Sequence, residues 1–352
     1  VNATSAAVIF ERLRSRLNVA AVQAGARRPF KFFLCGDPAL ISTFRAVLLA
    51  GQNGDSIPPE AAATLETLSD NRALDTGDAR AVICVGRPTD RGHWGLERFG
   101  ALKLPVLLLV VDPDVTAPSG PAQAPGKGGV EEYVVDRIAA ETLHGRFLPH
   151  LIDCCKGIEV AVGRRLPALR DTVAGKLTRD AASSALKVAG ASAVVDHVPF
   201  LGVVLGAFAS GADMMAITGI QMTLMLNIGA TYGRDPDLAQ MWELLPIVGG
   251  GFGWRALARE LSGFIPVGGV FIKAAIAYAG TVVVGEGVNY YYRNGRQMGA
   301  ADAAKIYDDA KASAMTFARE LFTRLRSKHD GDGTSGNGAG GGGGNGSTTP
   351  GA

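Results

Sequence analysis

The sequence predicts two parts: an α/β domain with the strand–turn–helix frame of a phosphate-binding loop, then an all-α hydrophobic domain. Three observations predict this. From Phe30 onward, short apolar runs alternate with helical stretches. The first run leads through Gly36 directly into a helical pattern, Asp37 to Leu49. Further on lie two long charge-poor runs, Met214 to Tyr232 and Ile265 to Gly285, rich in Gly, Ala and Thr.

The chain has 352 residues and a formal net charge of +2, room for two domains and a nearly neutral balance. Its basic residues are scattered rather than striped, which excludes a nucleic-acid footprint. Ala6 to Val22 reads as an amphipathic helix carrying Glu11, Arg12, Arg14 and Arg16, not as a secretory signal. The pattern divides the chain into an N-terminal amphipathic segment (1–29), an α/β domain (30–145) and connecting helices (146–187). A hydrophobic helical domain (188–299), an amphipathic helix (300–329) and a Gly-rich disordered tail (330–352) follow.

Within 30–145, buried strands are expected at Phe30–Gly36, Ala79–Val85, Leu104–Val111 and Val130–Val135. Such continuous apolar runs suit parallel strands covered on both faces. A Pro/Gly-rich loop, Ala117 to Gly129, should be exposed and mobile. Of the four cysteines, Cys35 and Cys84 read as small buried hydrophobes, and adjacent Cys154 and Cys155 lack a metal-binding spacing. A reducing environment fits all four. No nucleophile–base pairing or paired histidine motif occurs, and His93, His144, His150 and His197 read as solvated or core residues.

A phosphate-binding loop has the pattern G-x-x-x-x-G-K-[ST]. Here Gly36 and Thr43 stand in register, but Ile41 replaces the second glycine and Ser42 the lysine. The lysine supplies charge to the phosphates, and the glycine lets backbone N–H groups approach them. Region 30–145 resembles Era-type small GTPase domains. That resemblance implies a metal motif D-x-x-G, echoed one residue short by Asp75-Thr76-Gly77. It also implies a guanine-reading N-K-x-D at Val111-Asp112-Pro113-Asp114, where only Asp114 matches. Gly36, Thr43 and Asp114 are therefore the residues of a vestigial nucleotide site, or plain turn residues, with no catalytic residue and no metal ligand. Hydrolysis is not expected. No cofactor is assigned, weak binding of GTP with Mg²⁺ being the alternative at a helix N-terminus.

From Leu166 to about Tyr292 the chain resembles a bacterial C-terminal domain of unknown function that follows Era-type GTPase domains. Some of its members are placed in the inner membrane. The resemblance rests on Arg165-Leu166-Pro167-Ala168-Leu169-Arg170, Asp213, Gln221-Met222 and Gly229-Ala230-Thr231-Tyr232-Gly233. Ile265-Pro266-Val267-Gly268-Gly269, Ala277-Tyr278-Ala279-Gly280-Thr281 and Gly285 complete it. Both charge-poor runs reach the length of a bilayer crossing, about 17–25 residues. Tyr290-Tyr291-Tyr292-Arg293 and Arg296 fit an interfacial belt with cytoplasmic positive charge. Against a span, Lys273 at mid-run costs about 2.5–3.5 kcal/mol on insertion. Thr218, Gln221, Thr223 and Asn227 fit a buried bundle equally well. Integral insertion, peripheral association and a soluble bundle all stay open. So do a re-entrant hairpin at Val194–Ala209, an N-cap role for Asp196 and Asp213, and pairing of Lys273 with Glu286 or Asp213. Gln221 and Asn227 are candidates to bond across helices, which would favour self-association. A break is expected at Pro167.

The reading in function is a membrane-associated pseudo-GTPase acting as a scaffold or interaction protein, partnered by a lipid bilayer and by a protein partner or a second copy through the hydrophobic helices. Its expected place is the bacterial inner membrane with both termini cytoplasmic, the cytoplasm being the alternative. Two rivals remain: a GTPase with an unorthodox loop completed by Arg45 or a partner chain, and an oligomerising membrane-remodelling or pore-forming protein.

Overall fold

The computed structural model describes residues 17–50, 59–68, 76–195, 202–237, 244, 269–299, 301–314 and 316. Helix α1 (Val19–Arg27) starts at Asn18, whose side chain accepts from the Ala21 N–H at 2.9 Å. The amphipathic helix expected over 6–22 therefore has a cap inside it, and its part before Leu17 lies outside the described residues. Strand β1 (Lys31–Gly36) leads into α2 (Pro38–Leu49). Then follow β2 (Leu65–Thr67), β3 (Ala79–Gly86), the short α3 (Glu97–Gly100), β4 (Val106–Val111) and β5 (Val130–Val135).

All strand pairs are parallel, in the order β2-β1-β3-β4-β5. This is a doubly wound open sheet whose topological switch lies between β1 and β3. The four apolar runs are strands, and β4 is buried along its whole length. The first strand begins at Lys31, and β4 starts at Val106, after Pro105. β2 is an addition to the expectation. Only Leu65 of its three residues is buried, too little apolar pattern to stand out.

Side chains alternate across the sheet. Phe32, Leu34, Ile83 and Leu107 belong to one core, while Phe33, Val82, Cys84 and Leu108 belong to another with Trp94 and Phe99. No disulfide joins the four cysteines. The first face is the larger. It is covered by Ile41, Phe44 and Leu48 of α2 and by three short helices, α4 (Ala140–His144), α5 (Phe147–Asp153) and α6 (Glu159–Arg165). Phe147 stands edge-on to both Phe44 (5.7 Å) and Tyr133 (5.3 Å).

Loop 117–129 is pinned at one end, against the expectation of free movement. Ser119 exchanges backbone bonds with Val134 (2.8 and 3.0 Å), and Arg146 donates to the carbonyls of Gly120 and Pro121.

The same core continues past the sheet to Leu166, Leu169 and Val173. At Leu166 the chain turns extended, and Pro167 opens a short 3₁₀ turn, the expected break. Helix α7 (Arg170–Val195) follows and runs without interruption through residue 187. With α8 (Gly202–Thr231) and α9 (Gly269–Asn294) it forms a bundle around Ala174, Leu224, Met225, Ile228 and Val288. An alanine-lined seam (Ala185, Ala189, Ala274, Ala275) extends it to Ala314 in the helical residues 301–314. Helix α1 packs on α8 through Val22, Ala26, Met222 and Leu226.

Among the described residues no helix is long and apolar enough to cross a membrane, so the expected pair of spans lacks support. The run Met214–Tyr232 lies in α8 up to Thr231, where its polar groups are used inside the protein. Thr223 and Thr231 donate to carbonyls one turn back, and Gln221 donates to Thr281 of α9 at 3.2 Å. The first residues of the second run, 265–268, lie outside the described residues, as do the side chains of Lys273 and Asp213. The tyrosine belt also packs inward: Tyr292 stacks on Tyr232 at 5.4 Å, while Arg296 lies over the Tyr290 ring. Asp196, the middle of Val194–Ala209, residues 317–329 and the Gly-rich tail lie outside the described residues.

Close helix approach depends on glycine at one place above all. A Cβ on Gly285 would sit 2.2 Å from Thr178 Oγ1 and 2.9 Å from Thr178 Cβ, whereas one on Gly287 meets nothing within 4 Å. Gly285→Ala is therefore expected to destabilise the protein, by an amount near the top of the ~1–3 kcal/mol typical of overpacking. Gly287→Ala in the same helix should gain up to ~1 kcal/mol from helix propensity. Urea midpoints of the two variants that move in the same direction would contradict this packing.

Candidate functional site

The strand–turn–helix at Gly36 is the site the sequence singled out. Gly36 has φ +116°, and a Cβ on it would lie 2.0 Å from the Val85 carbonyl oxygen. The next amide, of Asp37, donates to that same carbonyl at 2.9 Å. The turn of β1 is thus fastened to β3, across the switch point where open α/β sheets hold their ligands.

Helix α2 begins at once, with Pro38 in its first turn. Asp37 caps it: the carboxylate Oδ1 accepts from Ala39 N (2.8 Å) and Leu40 N (3.1 Å). These are the orphan amides that would cradle a phosphate. Here an internal anion already uses them and offsets the positive end of the helix dipole. No loop separates strand from helix, so Ile41, Ser42 and Thr43 are helical. Ile41 packs into the core at 5% exposure. Thr43 is exposed and donates to the Ala39 carbonyl at 3.0 Å. Arg45, the cation proposed to complete the loop, donates to the Leu65 carbonyl of β2.

Asp114 is an exposed residue in the turn after β4, its amide held by Asp112 Oδ1 at 3.1 Å. Gly36 and Asp114 do share the carboxyl edge of the sheet, but β3 lies between their strands. Two strand spacings, about 10 Å, separate them. Thr43 is not part of that edge. Asp75 lies outside the described residues, and Thr76 is a turn residue whose carbonyl accepts from Ala79 N.

The crevice beside Gly86 is filled. A Cβ on Gly86 would be 2.9 Å from Asp90 Oδ2 and 3.0 Å from the Trp94 ring, which is itself 4% exposed. Asp37, Asp90, Asp112, Asp114 and Asp136 follow the ends of β1, β3, β4 and β5, interleaved with Arg87, Arg91 and Arg137. Asp90 accepts from the Arg87 amide at 2.7 Å, and Asp136 pairs with Arg137. The residues present do not fit a magnesium nucleotide: the phosphate donors are taken by Asp37, and Ser42 stands where the loop's cation would be. Among the described residues no group of three or more His, Cys, Asp or Glu side chains could hold a metal ion.

A second concentration of polar groups lies at Tyr133 and His150, where the phenol and Nδ1 are 2.8 Å apart. Burial raises the Tyr133 phenol well above its ordinary range and lowers the His150 imidazole. Burial also pushes the Cys154 thiol up to about 12 and holds Cys155 well above its ordinary value, so neither is a thiolate near neutrality. These groups tie α5 to β5 and carry no nucleophile.

The densest polar cluster is in the bundle, and sequence reasoning did not assemble it. Asp171 in the first turn of α7 is its centre. Its Oδ1 accepts from the Tyr232 hydroxyl (3.1 Å) and from Asn289 Nδ2 (3.3 Å), and its Oδ2 from Arg293 (3.4 Å). The Tyr232 hydroxyl also lies 2.7 Å from Asn289 Oδ1, and the Arg170 guanidinium covers the Tyr232 ring at 5.5 Å. Burial first, then the Asp171 charge, holds the Tyr232 phenol protonated far above neutral pH. Three helices are fastened by one carboxylate. The available signal was the composition of two motifs, because Arg170 ends the first and Tyr232 lies in Gly229–Gly233. Arg165, from the first motif, clamps the end of α1 by donating to the carbonyls of Arg27 and Arg28. Of the two candidate cross-helix amides, Gln221 bonds to α9, while Asn227 faces a groove between α7 and α8.

The fold places the chain among parallel, doubly wound α/β proteins, here with an appended helical bundle. Compared with protein-family models, with curated proteins and with solved structures, the chain finds no match.

Glu286 of α9 gives the cluster a pH dependence. Its carboxyl is raised above the ordinary 4.5, by burial first and by Asp171, while Arg293 and Arg179 oppose the rise. The unfolded chain therefore ionises this group first, and stability is lost as pH climbs from the unfolded value through the folded one. Glu286→Gln should raise the urea midpoint relative to the parent at neutral pH, with the gap closing below about pH 4.5. A gap that does not change with pH would contradict this environment. Tyr232→Phe, which removes the hydroxyl shared by half-buried Asp171 and buried Asn289, should cost about 1–3 kcal/mol in the same assay.

Proposed function

We propose that this protein is a scaffold, a pseudo-GTPase in the sense the sequence resemblance implies, with an α/β domain that serves as a rigid body rather than a nucleotide enzyme. The observation that carries this reading is the Asp37 carboxylate seated on the first amides of α2, with Gly36 fastened to the Val85 carbonyl. A phosphate could enter only by displacing both. The rival GTPase needs a cation near the turn, and the commitment of Arg45 to the Leu65 carbonyl weighs against it. Surfaces, not a pocket at the sheet edge, then carry the protein's role, through a protein partner or a second copy.

The test is titration of the full chain, and of an Ile41→Gly/Ser42→Lys variant, with magnesium GTP, with phosphate release followed in parallel. Neither protein should bind saturably in the micromolar range or release phosphate, because both substituted positions lie inside a helix with no loop before it. Micromolar binding by the variant would mean that a vestigial pocket persists. Turnover by the unmodified chain would overturn the scaffold reading.

A second reading concerns the membrane and is favoured by the absence of any charge from Met214 to Thr231 in α8. In it, the helical half associates peripherally with a bilayer, in line with the inner-membrane location the resemblance implies. Flotation with phospholipid vesicles should then recover the protein with lipid, and alkaline carbonate should release it. Retention after carbonate would favour spanning helices instead, and failure to float would remove the membrane from the account.

A further inference from the structure

Between α7 and α8 lies a groove of 480 Å³, walled by Leu17, Leu177, Ala181, Met215, Ile220 and Leu224. Its size falls within the ~300–1,000 Å³ typical of small-molecule sites. Part of its wall is Gly219, whose missing side chain leaves open space: an added Cβ would meet nothing within 4 Å. Apart from Ala216, the rest of the lining is polar and, but for the Asn227 amide group, presents acceptors. Ser184 donates its hydroxyl proton to the Asp180 carbonyl and Thr223 donates its own to the Gly219 carbonyl, both at 2.9 Å. Each hydroxyl therefore offers the groove lone pairs only. Asp180 adds a carboxylate. Lys176 holds Oδ2 at 3.2 Å while also lying 3.8 Å from Asp153, which leaves Oδ1 able to accept. The Asn227 carboxamide has no partner among the described residues. No lysine or arginine lines the groove.

An apolar slot whose polar groups mainly accept hydrogen bonds and carry one negative charge selects against fatty-acid carboxylates and phosphates. It suits an apolar chain with a donating, positively charged head. We propose that this groove binds a single-chain cationic amphiphile, a long-chain primary amine, taken from solution, with its alkyl chain along Leu177, Ile220 and Leu224 and its ammonium at Asp180 and Ser184. The site shares no residue with the sheet edge, so it stands or falls independently of the scaffold reading.

The test is isothermal titration of the full chain with dodecylamine and, separately, with laurate, each below its micelle concentration. The parent should bind dodecylamine saturably at one site and laurate at least about tenfold more weakly. Gly219→Leu fills the groove without a clash at Cβ and replaces a helical glycine, so its melting temperature should hold or rise while dodecylamine affinity falls about tenfold or more. Asp180→Asn should lower amine affinity severalfold and narrow the preference over laurate. Equal affinity for the two ligands, undiminished binding by a folded Gly219→Leu protein, or no saturable binding of either would each overturn the proposal. The last result would leave the groove to a protein segment.

Discussion

One face of the sheet has to be covered, and the segment that covers it also opens the bundle. Phe32, Leu34, Ile83 and Leu107 need an apolar partner along their whole width. They find it in α2 and in the stretch from Phe147 through Leu169 to Val173. That stretch is at once the lid of the α/β domain and the root of α7. A fully buried leucine or phenylalanine contributes about 1.5–3 kcal/mol, so separating the halves would expose many such contributions together. The core of the α/β part thus reaches Val173 in the first turn of α7, and the bundle's own cluster begins next to it at Ala174.

The closed turn at Gly36 follows from the same constraint. Helix α2 must present Ile41, Phe44 and Leu48 to this core, a spacing that requires helix through residue 41. A loop long enough to surround phosphate would push Ile41 out of register. With the helix begun at Pro38, its first amides need an acceptor, and Asp37 supplies one. The isoleucine and serine at positions 41 and 42 and the internal cap at Asp37 are two aspects of one packing solution. In the bundle the analogous economy is Asp171, which meets Tyr232, Asn289 and Arg293 with one carboxylate. A half-satisfied buried network would cost more than an apolar one, so its members depend on one another.

Much of the fold was legible because strands buried on both faces announce themselves as unbroken apolar runs, as Val106–Val111 does. β2 was not, since a three-residue strand with one buried side chain carries no period. At the candidate site the sequence disclosed the absent charge at Ser42. The adjacent Asp37-Pro38 pair, a capping residue followed by a first-turn proline, also held the position of the helix start. Gly36 could be noticed, but its reason, the Val85 carbonyl beside it, comes from another strand. The charge-poor run in α8 was equally visible and pointed to a bilayer. What could not be read was that Gln221 meets Thr281 and that Tyr232 meets Asp171, contacts made by residues about 60 positions apart. Helix polarity in sequence does not say whether its partner is lipid or another helix.

The central claim is that the sheet's core continues into the root of the bundle, so that the two halves unfold together. Native-state hydrogen exchange of the full chain, read by mass spectrometry as denaturant is raised, tests it most directly. Amides of β3 and β4 and those of α7 between Arg170 and Leu186 should merge into one global opening with the same free energy and the same denaturant dependence. A bundle that exchanges through its own opening while β3 and β4 remain protected would contradict this coupling. The two halves would then be separate domains joined by a linker.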